Sequence, residues 1–316
     1  MSRGSLRENA MLSLPRRRTV WNAKAWSLLL LFAPAAVLLI LFNYLPIGGI
    51  VIAFKKFSPY KGMLASPWVG LRNFAMILGD AKFWSVMRNT VFISFLDIVF
   101  GFPLPIIFAL LANEITSTPF KRTIQTISYL PHFLSWVVVF LVFYQFLSPL
   151  GGILNKFLVA VFGIEPIPFL LEKRFFYPVI VFVDIWKGVG WGAILYFATI
   201  AGIDPTMYEA AYIDGAGRWR MAWHVTLPSL MSIIVLMFIL RVSNVFQVGF
   251  DRIFMFATGL TYDISDVISV YVYRLGLVEA QYSLTTAIGL FQSVLGFAML
   301  FAANRLSAKL VGLGLW

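Results

Sequence analysis

Apolar residues are concentrated in six long blocks along the chain, and polar residues collect in the segments between them. A bilayer core takes roughly 20 apolar residues of helix to cross, which matches the length of these blocks. Backbone polar groups in lipid must be paired within the segment, so each block is expected to be a helix. The predicted spans are residues 27–54, 85–112, 124–147, 178–201, 229–250 and 283–305. The pattern therefore predicts an all-α, polytopic membrane protein with six transmembrane helices.

Composition excludes a water-soluble globular enzyme. Of the 316 residues, 60% are apolar and 12% are charged, whereas soluble domains carry about 45–50% apolar and about 25% charged residues. The mean hydropathy is +0.85. The chain has no cysteine, so we expect neither disulfides nor thiolate chemistry.

The net charge is +11, and the positions of the basic residues along the chain indicate its meaning. Ahead of the first span, six bases oppose the single acid Glu8, and this excess places the N-terminus in the cytoplasm. The bases are Arg3, Arg7, Arg16, Arg17, Arg18 and Lys24. An even number of spans returns the C-terminus to the same side. The predicted organisation is a basic cytoplasmic tail at 1–26, a membrane domain at 27–305 and a cytoplasmic tail at 306–316. Contact with anionic membrane lipid fits this tail, and nucleic acid is not an expected partner.

The polar segment 202–228 is predicted to lie in the cytoplasm as a helix, a glycine turn and a second helix. Asp204-Pro205 is a typical helix start, because Asp caps free amides and Pro fits the first helical position. Gly215 is suited to the left-handed turn that ends a helix. The second helical stretch, 218–227, is expected to end at Pro228. The first helix either docks in a groove of a partner protein or lies on lipid.

Four charged residues, Asp97, Asp184, Lys187 and Arg241, fall well within the predicted spans at a cost of about 2.5–3.5 kcal/mol each, so each needs a partner or water. Asp97 lies in the second span. Asp184 and Lys187 lie in the fourth span, three residues apart, and can either pair with each other on one helix face or contact a solute.

Arg241, Asn244 and Gln247 are spaced so that they roughly share one face of the fifth span. A polar stripe on a membrane helix is expected to face a cavity or another subunit. Both interpretations stay open: a solute pathway or packing between subunits.

Motifs for catalysis are missing. The sequence contains neither a P-loop for ATP phosphates nor a His-Glu-x-x-His motif, and its two histidines, His132 and His224, are far apart. We therefore expect no catalytic residue, no metal site and no cofactor in this chain.

A family resemblance rests on the segment 202–228. Glu209-Ala210-Ala211 is followed after three residues by Gly215, and after nine more by Val225-Thr226-Leu227-Pro228. This spacing resembles the EAA motif of binding-protein-dependent permeases of type I ABC importers. The resemblance implies a type I ABC importer permease fold and contact between this loop and an ATPase subunit. The implied contact residues are Glu209, Ala210, Ala211, Asp214, Gly215, Leu227 and Pro228.

Within that family the chain is similar to the polysaccharide and multiple-sugar branch, including permease subunits of bacterial alginate importers. The similar stretches are 66–71 with Asn73-Phe74, 262–277 and 289–292. Residues 258–260 read Thr-Gly-Leu where simple-sugar permeases have Thr-x-Gly-Gly-Pro, and this departure argues against a maltose-like specificity.

The resemblance implies a permease subunit of an ATP-driven importer that moves an oligo- or polysaccharide across the bacterial cytoplasmic membrane. An anionic cargo such as alginate is one candidate. The implied partners are a second permease subunit in a heterodimer, two ATPase subunits that hold ATP and magnesium, and an external solute-binding protein. An importer of a non-saccharide solute and an ion-coupled secondary transporter are the alternatives.

Counting back from the Glu209 motif, Gly188 and Trp191 fall where the resembling sugar permeases have a glycine and an aromatic residue beside the sugar. With the polar residues of spans four and five they complete the predicted substrate pathway. Its members are Lys187, Gly188, Trp191, Arg241, Asn244 and Gln247.

Overall fold

The computed structural model describes residues 23–315, and throughout that range the regular elements are helical. An isolated antiparallel bridge joins Lys55 and Trp68. The chain forms two units, one ending at Val51 and one beginning at Ile52.

The first span, Trp26–Phe54, supplies most of the first unit. It is an α-helix over Ala23–Leu39, a π-helix over Ile40–Tyr44 and a 3₁₀-helix over Leu45–Phe54. Nearly all its apolar side chains from Trp26 to Val51 are exposed, as expected for a helix in lipid. The basic tail predicted at 1–26 lies outside the described residues except for 23–26, which begin this helix.

The second unit contains the remaining apolar helices. Four of them are long enough to cross a membrane, and a bent pair is the sixth candidate span. Spans two, four, five and six are Ala81–Asn113, Lys173–Ala201, Arg218–Ser243 and Tyr282–Lys309, and span three is the bent pair Thr118–Phe133 and Trp136–Leu147. The predicted all-α, polytopic fold is confirmed, and the six predicted spans correspond to five long helices and the bent pair.

Shorter helices lie between the spans of the second unit. One of them is Ile153–Phe162, which follows span three. The others are Gly62–Ala65, Arg72–Gly79, Pro205–Ile213, Phe250–Phe256, Tyr262–Ser265 and Ile268–Tyr273.

Span three differs from its prediction as one continuous helix over 124–147. Its halves meet at an angle of 104°. Pro131 has no N–H to donate, and the first half ends as a short 3₁₀ segment, Leu130–Phe133. The Ser135 hydroxyl then accepts from the Val138 amide and caps the second half. The break lies between a helix-ending proline and a helix-starting serine.

Span five also ends earlier than the predicted block at 229–250. The helix stops at Ser243, and residues 244–249 are irregular. The Asn244 side chain donates to the Leu240 carbonyl at 2.8 Å, which satisfies an acceptor at the helix end. Irregular backbone at this depth is tolerated because other side chains pair with it.

Three π-helical segments end two residues before a proline. They are Ile40–Tyr44, Asp97–Gly101 and Ala222–Thr226, which precede Pro46, Pro103 and Pro228. In each case the residue four positions before the proline lies in the middle of the π segment. In a regular α-helix the carbonyl of that residue would lack its donor, because proline has no N–H. The wider turn rearranges the hydrogen-bond ladder, so the helix continues past the proline.

Spans three and four make the tightest helix contact. A Cβ built on Gly190 would lie 2.2 Å from the Ser128 carbonyl oxygen. Only glycine allows the two backbones to approach this closely. The broken span is therefore held directly against span four.

Candidate functional site

A buried charge network joins spans two and four to the short helix Phe250–Phe256. The Arg252 guanidinium forms a bidentate pair with Asp97, with nitrogen–oxygen distances of 3.1 and 2.7 Å. One of the same nitrogens lies 2.9 Å from a carboxylate oxygen of Asp184. Arg252 is 3% exposed. A single buried cation thus binds both intramembrane aspartates.

The irregular segment 244–249 places Arg252 in this network. It brings the chain from the end of span five to the Phe250–Phe256 helix, on which Ile253 and Phe256 pack into the apolar core. Two of its carbonyls have side-chain donors: Ser94 donates to Val245 at 2.5 Å, and Gln292 donates to Phe246 at 2.7 Å. The segment is ordered by spans two and six.

A cavity of about 140 Å³ adjoins the network. Arg241, Asn244 and Gln247 all line it, together with Asp97, Asp184 and Arg252. They do not share a helix face as predicted, because span five ends before Asn244; the irregular segment brings them together instead.

A second cavity, of about 200 Å³, shares Asp184 and Arg241 with the first. Gly188 lines it, and its predicted place beside a sugar stays a prediction. A Cβ on Gly188 would meet no heavy atom within 4 Å, so this glycine leaves open space. The two cavities form a polar zone between spans two, four and five.

Arg241 is the least satisfied charge of this zone. Its closest acidic atom is a carboxylate oxygen of Asp184 at 3.9 Å, and its side chain is 43% exposed. Arg252, by contrast, holds both aspartates at hydrogen-bond distance. The guanidinium of Arg241 therefore faces the cavities as an accessible cation.

Lys187 lies beside the break in span three. Its ammonium donates to the carbonyls of Pro131, His132 and Leu134 at 3.2, 2.6 and 2.7 Å. Of the two alternatives for Lys187, the structure does not contain the ion pair with Asp184, because Asp184 pairs with arginines from outside its own helix. An ammonium has three donors, and here all three have acceptors. The predicted contact between Lys187 and substrate stays a prediction.

Trp191 lies apart from the two polar cavities. Its indole stacks on the His132 imidazole with ring centroids 4.3 Å apart and an interplanar angle of 1°. The edge of Phe133 meets the same indole. Trp191 is half exposed, and its role beside a sugar stays a prediction.

Helix Pro205–Ile213, which we call the loop helix, forms as predicted. An Asp204 carboxylate oxygen accepts from the Thr206 amide at 2.9 Å, and this bond lowers the pKa of Asp204. At the other end, Gly215 has a φ of +77° and the Ala216 amide donates to the Ala211 carbonyl. The glycine is required for this turn, because a side chain is strained at positive φ.

The loop helix is tied to span five by one hydrogen bond, between the Tyr208 and Thr226 hydroxyls at 2.9 Å. Glu209 and Ala210 are exposed. Large apolar side chains are exposed beside them, namely Met207, Tyr212, Ile213, Trp219 and Trp223. This contiguous segment presents apolar surface next to a carboxylate.

The second helix of the segment does not end at Pro228 as predicted. It runs from Arg218 through the π segment Ala222–Thr226 into span five. The π segment rearranges the bonds that Pro228 would otherwise break. Span five is therefore one continuous helix from the Gly217 turn to Ser243, and a short connection joins the loop helix to it.

A separate charge cluster ties span two to the segment after span five. Asp266, whose side chain is fully buried, lies 2.8 Å from the Lys82 ammonium and 3.0 Å from the Arg274 guanidinium. Burial raises the pKa of Asp266, and the hydrogen bond from Lys82 opposes this rise. Lys82 and Arg274 are therefore both paired with a buried acid in a structural contact, whereas Arg241 has only one long contact to an acid.

Apolar helices that enclose a charged cavity are the architecture of a membrane transport protein. The family model described as binding-protein-dependent transport system inner membrane component matches residues 101–312. The chain belongs to this family.

Two curated relatives from Bacillus subtilis (strain 168) align over 282 residues, 89% of this chain and 88% of each relative. Protein LplB is 41% identical, and the polygalacturonan/rhamnogalacturonan transport system permease protein YteP is 39% identical. Both relatives match this chain at nearly their full length.

Two crystal structures share the fold. One is a bacterial ABC transporter involved in the import of the acidic polysaccharide alginate, with a TM-score of 0.82, 36% identity and coverage of 91% of this chain and 96% of the other. The second is a bacterial alginate ABC transporter in complex with an alginate pentasaccharide-bound periplasmic protein. It has a TM-score of 0.83, 35% identity and coverage of 92% and 97%.

Proposed function

We propose that this chain is one permease subunit of an ATP-driven importer that carries an acidic oligo- or polysaccharide across the bacterial cytoplasmic membrane. The observation that carries the proposal is the accessible guanidinium of Arg241 in the polar zone. Two proteins similar to this chain support the same class of cargo: a permease of a polygalacturonan/rhamnogalacturonan transport system and a transporter involved in the import of alginate.

The charge arrangement of the polar zone favours a carboxylate. Its two arginines and two aspartates are formally balanced, but Arg252 occupies both aspartates and leaves Arg241 with one long contact. A guanidinium matches a carboxylate in a bidentate geometry. A uronate entering the cavities would complete the hydrogen bonding of Arg241, whereas a neutral sugar would not.

The proposed complex contains a second permease subunit, two ATPase subunits and an external solute-binding protein. The exposed surface of the loop helix is suited to a groove in an ATPase subunit. In the proposed complex, segment 202–228 and both chain termini lie in the cytoplasm, and the excess of basic residues ahead of the first span supports this orientation. ATP and magnesium belong to the ATPase subunits, whose closure would move the loop helix and, through Tyr208 and span five, the polar zone.

Two substitutions in the loop are expected to uncouple transport. Glu209→Lys reverses the exposed charge at the proposed contact, and Gly215→Val forces a side chain into positive φ. Each is expected to lower ATP-dependent uptake by roughly tenfold or more, the equivalent of about 1.4 kcal/mol of coupling. The measurement is uptake together with co-purification of the ATPase subunits; Asp251→Lys, an exposed acid outside the loop, is the control. Wild-type uptake and ATPase binding in both loop variants would refute this role.

Arg241→Gln is expected to lower uptake of a uronate oligosaccharide at least tenfold more than uptake of a neutral one, since a hydrogen bond to a charged group contributes about 1.5–3 kcal/mol. Arg241→Lys keeps the charge but loses the bidentate geometry and should fall between. Asn244→Ala and Gln247→Ala, from the same cavity, are controls for general damage and should affect both sugars alike. Equal losses for both sugars would contradict carboxylate recognition, and failure of Arg241→Gln to assemble with its partners would favour subunit packing.

The cargo class has its own test. ATPase activity of the reconstituted complex is measured while the solute-binding protein is loaded from a panel of uronate oligosaccharides, neutral oligosaccharides and non-saccharide solutes. Stimulation confined to uronate oligosaccharides is the expected result. Stimulation by a non-saccharide solute alone would support the alternative cargo.

A further inference from the structure

The break in span three creates a cluster of backbone carbonyls that is suited to bind a cation. The carbonyls of Pro131, His132 and Leu134 converge on one point, which lies at the C-terminal end of the helical run Thr118–Phe133. Carbonyls at a helix C-terminus carry partial negative charge and lack donors from the next turn. The face of the Trp136 ring lies 5.4 Å from the same point, and an aromatic face attracts a cation.

Broken helices of this kind have a known chemistry in ion-coupled membrane transport, in which unwound carbonyls and half-helix C-termini coordinate a mobile sodium ion or proton. Here the site is filled from within the chain. The Lys187 ammonium reaches all three carbonyls, and the residue is 8% exposed.

We propose that Lys187 is a tethered cation that fills a carbonyl cation site at the break of span three and fixes the broken span against span four. It is a positioning residue. The hydrogen bonds of Lys187 and the close contact of Gly190 with Ser128, about one helical turn further along span four, together hold span three against span four. A fixed charge in this site leaves no place there for an exchangeable ion.

Removal of the tether should therefore create a binding site for a free cation. Lys187→Ala retains Cβ and removes the three outer carbons and the nitrogen, which together correspond to n-propylammonium. The variant complex, assembled with all its subunits in liposomes, is expected to lose roughly tenfold or more of its uptake, because three part-buried acceptors lose a charged donor. Added n-propylammonium should restore several-fold of that loss and raise the Tm of the complex in a concentration-dependent way.

The controls separate binding from general salt effects. Tetramethylammonium carries the charge without an N–H donor and should restore nothing. The wild type and Lys156→Ala, which removes an exposed lysine, should not respond to n-propylammonium. Two results would overturn the proposal. One is wild-type uptake and Tm in Lys187→Ala, and the other is a loss of uptake that n-propylammonium does not restore in a fully assembled complex.

If Lys187→Ala does not assemble, a second pair of variants tests the same role of Lys187. Lys187→Arg keeps charge and donors and is expected to retain most of the uptake, whereas Lys187→Met keeps the volume and should lose it. Equal uptake by these two variants would overturn the proposal. The Tm response to n-propylammonium does not depend on the cargo, so its failure is distinguishable from failure of the proposed function.

Discussion

Replacement of Arg252 by methionine is expected to destabilise the protein by roughly 3–5 kcal/mol, the largest effect of any single side-chain removal in the polar zone. Methionine fills much of the volume but leaves Asp97 buried without its bidentate partner, and Asp184 loses its closest cation. An uncompensated buried carboxylate is costly because the surrounding medium solvates it poorly. The measurement is the Tm and yield of the assembled complex.

Arg174→Met is the matched control. Arg174 pairs with Glu172 on an exposed surface, and exposed ion pairs contribute about 0–1 kcal/mol. Arg252→Met should therefore lower the Tm far more than Arg174→Met. The double variant Arg252→Met with Asp97→Asn should recover part of the loss, because the orphaned charge is removed. Similar Tm values for the two methionine variants would contradict the importance assigned to the network.

The Gly190→Ala substitution is expected to disrupt the contact between spans three and four and to abolish uptake. The new Cβ would lie 2.2 Å from the Ser128 carbonyl oxygen and 2.4 Å from its carbonyl carbon. These are backbone atoms of a helix, so the spans must separate. Overpacking typically costs about 1–3 kcal/mol and more where backbone must move. The measurement is uptake per assembled complex, with the Tm alongside.

Gly188→Ala is the matched control, two residues away on the same span. Its Cβ would meet no heavy atom within 4 Å, so its Tm should stay close to the wild-type value. If both alanine variants have the same Tm, the close approach of the two spans does not stabilise the fold.

Hydropathy predicts the spans because lipid imposes one rule on every backbone group, which only a paired helix satisfies. The rule does not predict where a helix may break inside the protein. Pro131 and Ser135 are the local signals for the break in span three, but both lie within an apolar block that reads as continuous. The early end of span five depends on donors from Ser94 and Gln292, which are distant in sequence.

The loop helix was predictable because its ends are set by local chemistry. Asp204 caps it and Gly215 turns the chain after it, and both effects act within a few residues. The helix does not end at Pro228, although proline commonly ends a helix, because the π segment before it allows the helix to continue.

The charge network was only half visible in the sequence. Asp97, Asp184 and Arg241 stand out because they interrupt apolar blocks, but Arg252 lies just beyond the block that ends at residue 250. Lys187 is three residues from Asp184, and this spacing suggested a pair that the fold does not use. The remaining signal is that two aspartates within the spans need a cation, and a charged residue at the edge of an apolar block is where to look for it.

The most direct test of the proposed function is uptake by liposomes that contain this chain with its second permease and two ATPase subunits. A uronate oligosaccharide is supplied outside with the solute-binding protein, and ATP is enclosed inside. We predict accumulation that requires ATP, the ATPase subunits and the binding protein together, and that is unaffected by collapse of sodium and proton gradients. Accumulation without ATP, driven by either ion gradient, would contradict the account.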